Sequence, residues 1–210
     1  MGVRIKWLGH ASFKIESEGG FITYIDPWKI REKDSANLIL ITHSHYDHLS
    51  VDDVGKIQGK ATKILVPKDG KEKLKGDVQG IGPGEIVSIG NVRVRTIPAY
   101  NIGKSFHPKE NGWVGYILEI DNISIYHAGD TDFIPEMKDL KPYVALLPIG
   151  GTYTMGVDDA LKAADAISPH LVIPMHYGDI VGSEKDAERF ASKCRFEVKV
   201  LSKGEMLEVG

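Results

Sequence analysis

Residues 37–50, NLILITHSHYDHLS, constrain this chain more than any other stretch. Leu38–Ile41 is a continuous run of branched apolar residues, the pattern of a short strand buried on both faces. Polarity then changes abruptly at Thr42, and His43, His45, Asp47 and His48 follow within six residues. Imidazole and carboxylate are the ligands that zinc and similar borderline metals prefer. In extended backbone, residues two apart point the same way, so His43 and His45 can grip one ion. A sharp turn then lets Asp47 and His48 reach a second ion, and two metals ~3.5–4 Å apart can act together on a hydrolysis. The plain alternative is a histidine-containing loop without metal; three histidines and an aspartate after a buried strand weigh against it.

The flanking sequence alternates short strands with helical segments. Val3–Leu8, Ser12–Ile15 and Phe21–Ile25 read as strands separated by Gly9 and by the turn Ser17–Gly20, which suggests an antiparallel start. Ser50 reads as an N-cap, with Asp52 and Asp53 favourable in the first turn of a helix reaching about Gln58. A strand over Lys63–Val66 and a short helix over Asp69–Leu74 follow. Glu85–Ile89, Val92–Ile97, Val114–Ile120 and Ile123–Tyr126 alternate as strands, with turns at Asn91 and Asp121-Asn122. The remainder predicts a short helix near Ile134–Leu140, a buried strand at Val144–Pro148, an amphipathic helix over Val157–Ile167 and a strand at Leu171–Pro174. A helix at Glu184–Cys194 and a closing hairpin of Glu197–Leu201 with Met206–Val209 complete it. Periodicity alone gives an α/β or α+β fold, and no linker divides residues 1–210.

Two more strands end in candidate ligands. ISIYHAGDT carries Asp130 at a Gly-Asp-Thr corner, where a carboxylate can offset the repulsion of two cations or simply make an Asx turn. LVIPMHYG delivers His176 at the end of a buried strand. The H-x-H-x-D-H signature after an apolar strand, joined by these two motifs and by FITYIDP, resembles the metallo-β-lactamase-fold hydrolases. The likeness runs from about Val3 to Gly178, and the opening Leu8-Gly9-His10 is similar to a small branch that includes ascorbate-6-phosphate-lactonase-like proteins. It implies a four-layer αβ/βα sandwich: two mixed sheets face to face with helices outside. It also implies that Asp130 bridges two ions, that His176 binds the second, and that Asp26 holds the histidine loop by hydrogen bonds, although Asp26 can equally be a plain turn residue.

One departure from the resemblance bears on the site. The family places another histidine after the strand corresponding to Val92–Ile97, where this chain reads Ile97-Pro98-Ala99-Tyr100-Asn101. The first ion, gripped by His43 and His45, therefore needs a ligand from elsewhere. His10, leaving a strand through Gly9, is the preferred candidate, with hydrogen bonding to another ligand as its alternative. Asn101 is a poor zinc ligand. His107 ranks lower still, because its loop, with Lys104, reads as a mobile substrate lid, a poor place for a rigid ligand. His127 reads as support for a ligand and His170 as solvent-facing.

Net charge of −3 gives no basic footprint for nucleic acid. Cys194 is the only cysteine, so no intramolecular disulfide forms. The opening MGVRIKWLGH is not a signal peptide and no run approaches a membrane span. The expectation is a soluble cytoplasmic protein whose partner is a small molecule, with homo-oligomerisation left open. The expected activity is metal-dependent hydrolysis by metal-bound hydroxide, with catalytic roles for Asp47 and Asp130. Zinc is the expected ion, with manganese, nickel or iron as substitutes. Lys104 or Tyr177 would stabilise an oxyanion. A small anionic ester or lactone is the expected substrate. Phosphodiester or nucleic-acid cleavage, or metal binding without turnover, are the alternatives.

Overall fold

The computed structural model describes residues 2–210. Strands β1 (Val3–Gly9), β2 (Ser12–Ser17), β3 (Ile22–Ile25), β4 (Ala36–Leu40), β5 (Gln58–Pro67) and β6 (Asp77–Ile81) lie side by side in chain order, with helix α1 (Val51–Ile57) between β4 and β5. The second sheet contains β7 (Ile86–Ile89), β8 (Val92–Pro98), β9 (Val114–Ile120), β10 (Ile123–His127), β11 (Val144–Pro148), β12 (Leu171–Met175) and β13 (Glu197–Val198). Helices α2 (Val157–Ile167) and α3 (Glu184–Lys193) flank β12 in the chain. The final strand, β14 (Met206–Val209), returns to the first sheet and pairs antiparallel with β1. Each sheet is mixed: β1 to β3 and β7 to β10 are antiparallel, whereas β3 to β6 and β10 to β13 are parallel.

Strand β4 and the residue after it explain the layering. Leu38 and Leu40 join the large core that also holds Phe13, Ile25, Tyr116 and Leu118, whereas Ile39 and Ile41 join a second core with Val54 and Ile57 of α1. Alternate residues point to opposite faces of a strand, so one run feeds both layers. Burying a Leu or Ile side chain stabilises by roughly 1.5–3 kcal/mol, which is why this run is apolar throughout. Ala160, Ala163, Ala164 and Ile167 of α2, with Ala187 and Phe190 of α3, join the large core from the second sheet's side. These are two mixed sheets with helices outside, the four-layer αβ/βα sandwich.

Ser50 caps α1 by accepting from the Asp53 backbone N–H. Asp121 and Asn122 adopt positive φ between β9 and β10, the conformation a tight hairpin requires. Three expectations change, and one strand, β6, has no counterpart in them. Lys68–Lys73 is a 3₁₀ helix, in place of a helix over Asp69–Leu74. Only Pro135–Met137 coils near residue 134, because Asp139 and Lys141 take positive φ and their N–H groups bond to the carbonyls of Ala166 and Ile167. Strand β6 is an edge strand with one buried residue and a glycine, so it carries no alternation to read. The closing segments do not form a hairpin. The Lys199 N–H bonds to the Val172 carbonyl, while Gly204 and Glu205 bond to Trp7, so the chain crosses from one sheet to the other.

Candidate metal centre

Strand ends deliver the polar residues. Asp26 follows β3, His43 follows β4, Asp130 follows β10 and His176 follows β12, while His10 follows β1. His10, Asp26 and His176 all have positive φ, at 52°, 46° and 58°. Such φ values are uncommon outside glycine and cluster at functional sites, where the surrounding structure holds them. Here the His176 N–H bonds to the His10 carbonyl at 2.9 Å, tying the end of a first-sheet strand to the end of a second-sheet strand. Gly129 (φ 66°) makes the turn before Asp130, and a Cβ there would lie 3.0 Å from the Val114 carbonyl oxygen.

Three sets of ligand atoms lie within 4.8 Å of one another: Asp26, His43 and His48; His43, His45 and His107; and His10, Asp47, His48 and His176. The Asp26 carboxylate is taken up by Thr42 and His48, so the last two sets are the candidate ion groups. Asp130 lies between them. Its carboxylate is 3.3 Å from His107 Nε2, 3.0 Å from His176 Nε2, 3.4 Å from His48 Nε2 and 3.9 Å from His43 Nε2. The structure thus corrects the ranking of the third ligand. His107, not His10, stands with His43 and His45. His10 Nε2 lies 3.0 Å from Asp47 Oδ2, in the other group.

The loop carrying His107 is tied down, which removes the objection that it is a lid. Asn101 N–H bonds to the His107 carbonyl at 2.8 Å, and Asn101 Oδ1 accepts from the His107 N–H at 3.0 Å. Asp132 accepts from the Ile102 N–H and from Lys104 Nζ, and Lys104 also donates to the Thr154 carbonyl. Lys104 is therefore an anchor and does not line the pocket. Tyr177 is also outside it: its ring stacks on Trp7 at 5.2 Å, in a groove with Gly9 and Lys203. His127 is buried, with Nε2 2.9 Å from the Ala11 carbonyl and Nδ1 accepting from the Gly129 N–H. His170 is exposed.

Hydrogen bonds behind the histidines set their tautomers. Asp26 accepts from the Thr42 N–H at 2.7 Å, from Thr42 Oγ1 at 2.6 Å and from His48 Nδ1 at 2.7 Å. With Thr42 Oγ1 donating to Asp26, its lone pairs accept from His43 Nδ1 at 3.0 Å. Asn101 Oδ1 accepts a hydrogen bond from His107 Nδ1–H at 3.0 Å. In the neutral imidazole each bond would put the proton on Nδ1 and leave the Nε2 lone pair for a metal, the arrangement metal-binding histidines adopt; His43 Nε2 also lies 3.0 Å from His45 Nδ1. Thr42 and Asn101 are the functional partners that sequence reasoning missed. A polar residue directly before the histidine run, and a polar residue where a histidine is due, were the available signals.

Burial sets the charge balance. It drives the pKa of His43 well below the usual histidine value, helped by His48, and lowers that of His10 against the pull of Asp47. For His48, burial opposes the charged form, but the Asp130 and Asp26 carboxylates outweigh it and hold the pKa well above normal. Burial likewise disfavours the Asp130 carboxylate, yet His176 and His48 hold its pKa well below the usual range.

The donor set fits divalent ions on its own geometry. His48 Nε2, His107 Nε2, His176 Nε2 and Asp130 Oδ1 are buried and make no hydrogen bond of good geometry, with the Asp130 carboxylate close to all three imidazoles. Unpaired buried polar atoms are costly and call for a partner. Four of them converging beside imidazole and carboxylate groups, with no thiolate present, suits zinc, manganese, nickel or iron. The pocket above them, lined by His45, Asp47, His107, Asp130 and His176, encloses about 250 Å³.

Comparisons with known proteins agree with this geometry. A family model described as "Beta-lactamase superfamily domain" matches residues 4–176. The chain is 35% identical to a UPF0173 metal-dependent hydrolase of Pyrococcus furiosus, covering 99% of this chain and 100% of that one. It is 33% identical to one from Methanopyrus kandleri, covering 98% and 100%. Among solved structures it resembles Igni18, a metallo hydrolase from Ignicoccus hospitalis, with a TM-score of 0.82 at 26% identity, covering 100% of this chain and 99% of that chain.

Proposed function

This chain belongs to the beta-lactamase superfamily and is one of its metal-dependent hydrolases, and from that premise we propose that it hydrolyses a small ester or lactone with zinc in both ligand groups. The observation that carries this reading is the convergence of His48, His107 and His176 Nε2 on the Asp130 carboxylate, all buried and none satisfied by a hydrogen bond of good geometry. His43, His45 and His107 would hold one ion, and Asp47, His48 and His176 the other, with Asp130 shared. When bound, divalent ions supply Lewis acidity and an activated water at neutral pH. His10 keeps the Asp47 carboxylate in place through its 3.0 Å bond, and Asp26 fixes His48 directly and His43 through Thr42.

The enclosed volume of about 250 Å³ lies below the ~300–1,000 Å³ typical of drug-sized ligands, which supports a small-molecule substrate. No lysine or arginine lines the pocket. The expectation of an anionic substrate rested on the branch resemblance and on the lysine-bearing loop, and the Lys104 ammonium of that loop is engaged by Asp132 and the Thr154 carbonyl. An ester or lactone is the first reading, and a phosphodiester, whose charge would sit at the ions themselves, is the alternative. Among the described residues no helix is long and apolar enough to cross a membrane.

The test is metal analysis of the purified protein, then chelation and reconstitution with zinc, manganese, nickel or iron(II), against ester, lactone and phosphodiester dyes. Hydrolysis should be lost with the metal and regained on its return. Full activity of a metal-free sample would sink the reading, and a preference for the phosphodiester would replace it.

A further inference from the structure

The rim of the pocket is apolar. Above His45, Asp47, His107, Asp130 and His176 stand Tyr46, Phe106, Tyr153 and Ile180. Tyr46, Phe106 and Ile180 are 69%, 44% and 38% exposed, so large apolar side chains face water around a polar floor. Scattered apolar residues on a surface need no explanation, but four of them ringing one pocket do.

Two of the four are held in register with the floor. Phe106 meets Tyr153 edge to face at 4.7 Å, with ring planes 87° apart. Phe106 directly precedes His107, whose backbone is paired with Asn101 in both directions. Asn101 Nδ2 in turn donates to the Tyr153 carbonyl at 2.9 Å. One asparagine therefore joins the segment bearing Phe106 to the segment bearing Tyr153, and sets both against His107. The cations of this loop are spent elsewhere. Lys104 pairs with Asp132 at 2.6 Å, and Lys109 pairs with Glu136 at 2.9 Å over the Tyr100 ring.

We infer that Tyr46, Phe106, Tyr153 and Ile180 form the binding site for an uncharged aryl or alkyl group, so that the substrates are neutral carboxylic esters or lactones bearing such a group. This rests on the hydrolase reading above. In the reaction, water oxygen joins the acyl carbon, the acyl C–O bond breaks, and a water proton passes to the departing alcohol oxygen. The scissile carbonyl faces the floor. The remainder of the molecule lies on the rim, where a carboxylate would be desolvated against aromatic carbon with no cation beside it.

The experiment compares p-nitrophenyl acetate, butyrate and hexanoate with the p-nitrophenyl half-ester of succinic acid, using metal-loaded protein. A second arm titrates 4-phenylbutan-1-ol, which has no scissile bond, into the same protein and follows tyrosine and tryptophan fluorescence. Each added methylene should raise kcat/KM by roughly twofold to fourfold, chiefly through KM. The succinate half-ester should fall at least tenfold below the butyrate. Phe106→Ala should reduce the hexanoate-to-acetate ratio at least fivefold and weaken the alcohol's binding, and Phe106→Leu should restore most of both. Chain-length independence, or a succinate half-ester equal to the butyrate, would overturn the inference while leaving hydrolysis intact. If no ester is turned over, the ester assignment fails, and the titration still decides the rim. Saturable binding lost in Phe106→Ala supports the patch, and no binding in the millimolar range rejects it.

Discussion

Asn101 Oδ1 accepts the Nδ1 proton of His107 at 3.0 Å and the His107 backbone N–H at 3.0 Å. The asparagine stands where the resemblance calls for a histidine, and the histidine it orients stands six residues on. In this chain the residue at the expected position supports the imidazole that joins His43 and His45.

Removing that support should weaken one ligand group and spare the other. We expect Asn101→Ala to lower affinity at the His43, His45 and His107 group about 10- to 100-fold, the usual effect of losing a partner that orients a ligand. The other group should stay filled. Competition titration with a chromophoric chelator measures both steps. Equal weakening of the two steps would show that Asn101 acts through the fold at large.

Asp130 lies against both groups, within 3.0–3.9 Å of four imidazole nitrogens. Asp130→Asn keeps the shape and removes the charge that offsets two cations. We expect loss of at least one metal per chain with the circular dichroism spectrum unchanged. Metal content and rate both at wild-type level would rule out a shared carboxylate.

Asp26 makes three buried hydrogen bonds, two to Thr42 and one to His48. Hydrogen bonds to a charged group contribute about 1.5–3 kcal/mol each. Asp26→Asn retains part of this network, so we expect a destabilisation of about 2–3 kcal/mol in urea. Affinity at the His48 group should fall as well. A loss of stability alone would assign Asp26 to the scaffold and not to the ligands.

Stability of the chelated protein should peak near the ordinary histidine pKa. His10, His43 and His127 have lowered pKa values, with burial as the leading cause. Below pH ~6.5 the unfolded chain protonates these histidines and the folded chain does not, so their contribution is present above that pH and declines as pH falls. His48 has the opposite sign. Its raised pKa gives stability that is complete below ~6.5 and lost as pH rises through the folded value. Urea unfolding between pH 5 and 9 should therefore decline on both sides, and a monotonic rise to pH 9 would show that His48 is not held charged.

How far the sequence could be read follows from where each signal is stored. Leu38–Ile41 declared a doubly buried strand because every residue is apolar, and Ser50 declared a cap because side chain and backbone sit three residues apart. Asp26, Asp130 and His176 stood out only in company: each is an ordinary residue at a strand end, and the His43–His48 run marked such ends as candidate ligands or supports. His107 carries no such local mark. Its place depends on the return of the loop to Asn101 and on the grip of Asp132 on Lys104, contacts spanning 6 and 28 residues. Lys104 and Tyr177 were misread for the complementary reason. Charge and aromaticity mark a residue as useful, but partners distant in the chain decide which way it faces. Strand β14 joined β1 across nearly the whole chain, and no local pattern encodes that pairing.

Neither ligand group belongs to one sheet. His43 and His45 leave β4, whereas His107 comes from the loop after β8; His10, Asp47 and His48 stand at the first sheet, whereas His176 ends β12. Each ion would act as a rivet across the seam between the two halves of the sandwich. Withdrawing it leaves the Asp130 contacts with His43 and His48, plus the His176–His10 and Val114–Thr42 backbone bonds, to resist the sheets sliding apart at this edge. Amide hydrogen exchange should register that slackening first at the ends of β4, β10 and β12, long before the far edge of either sheet is exposed.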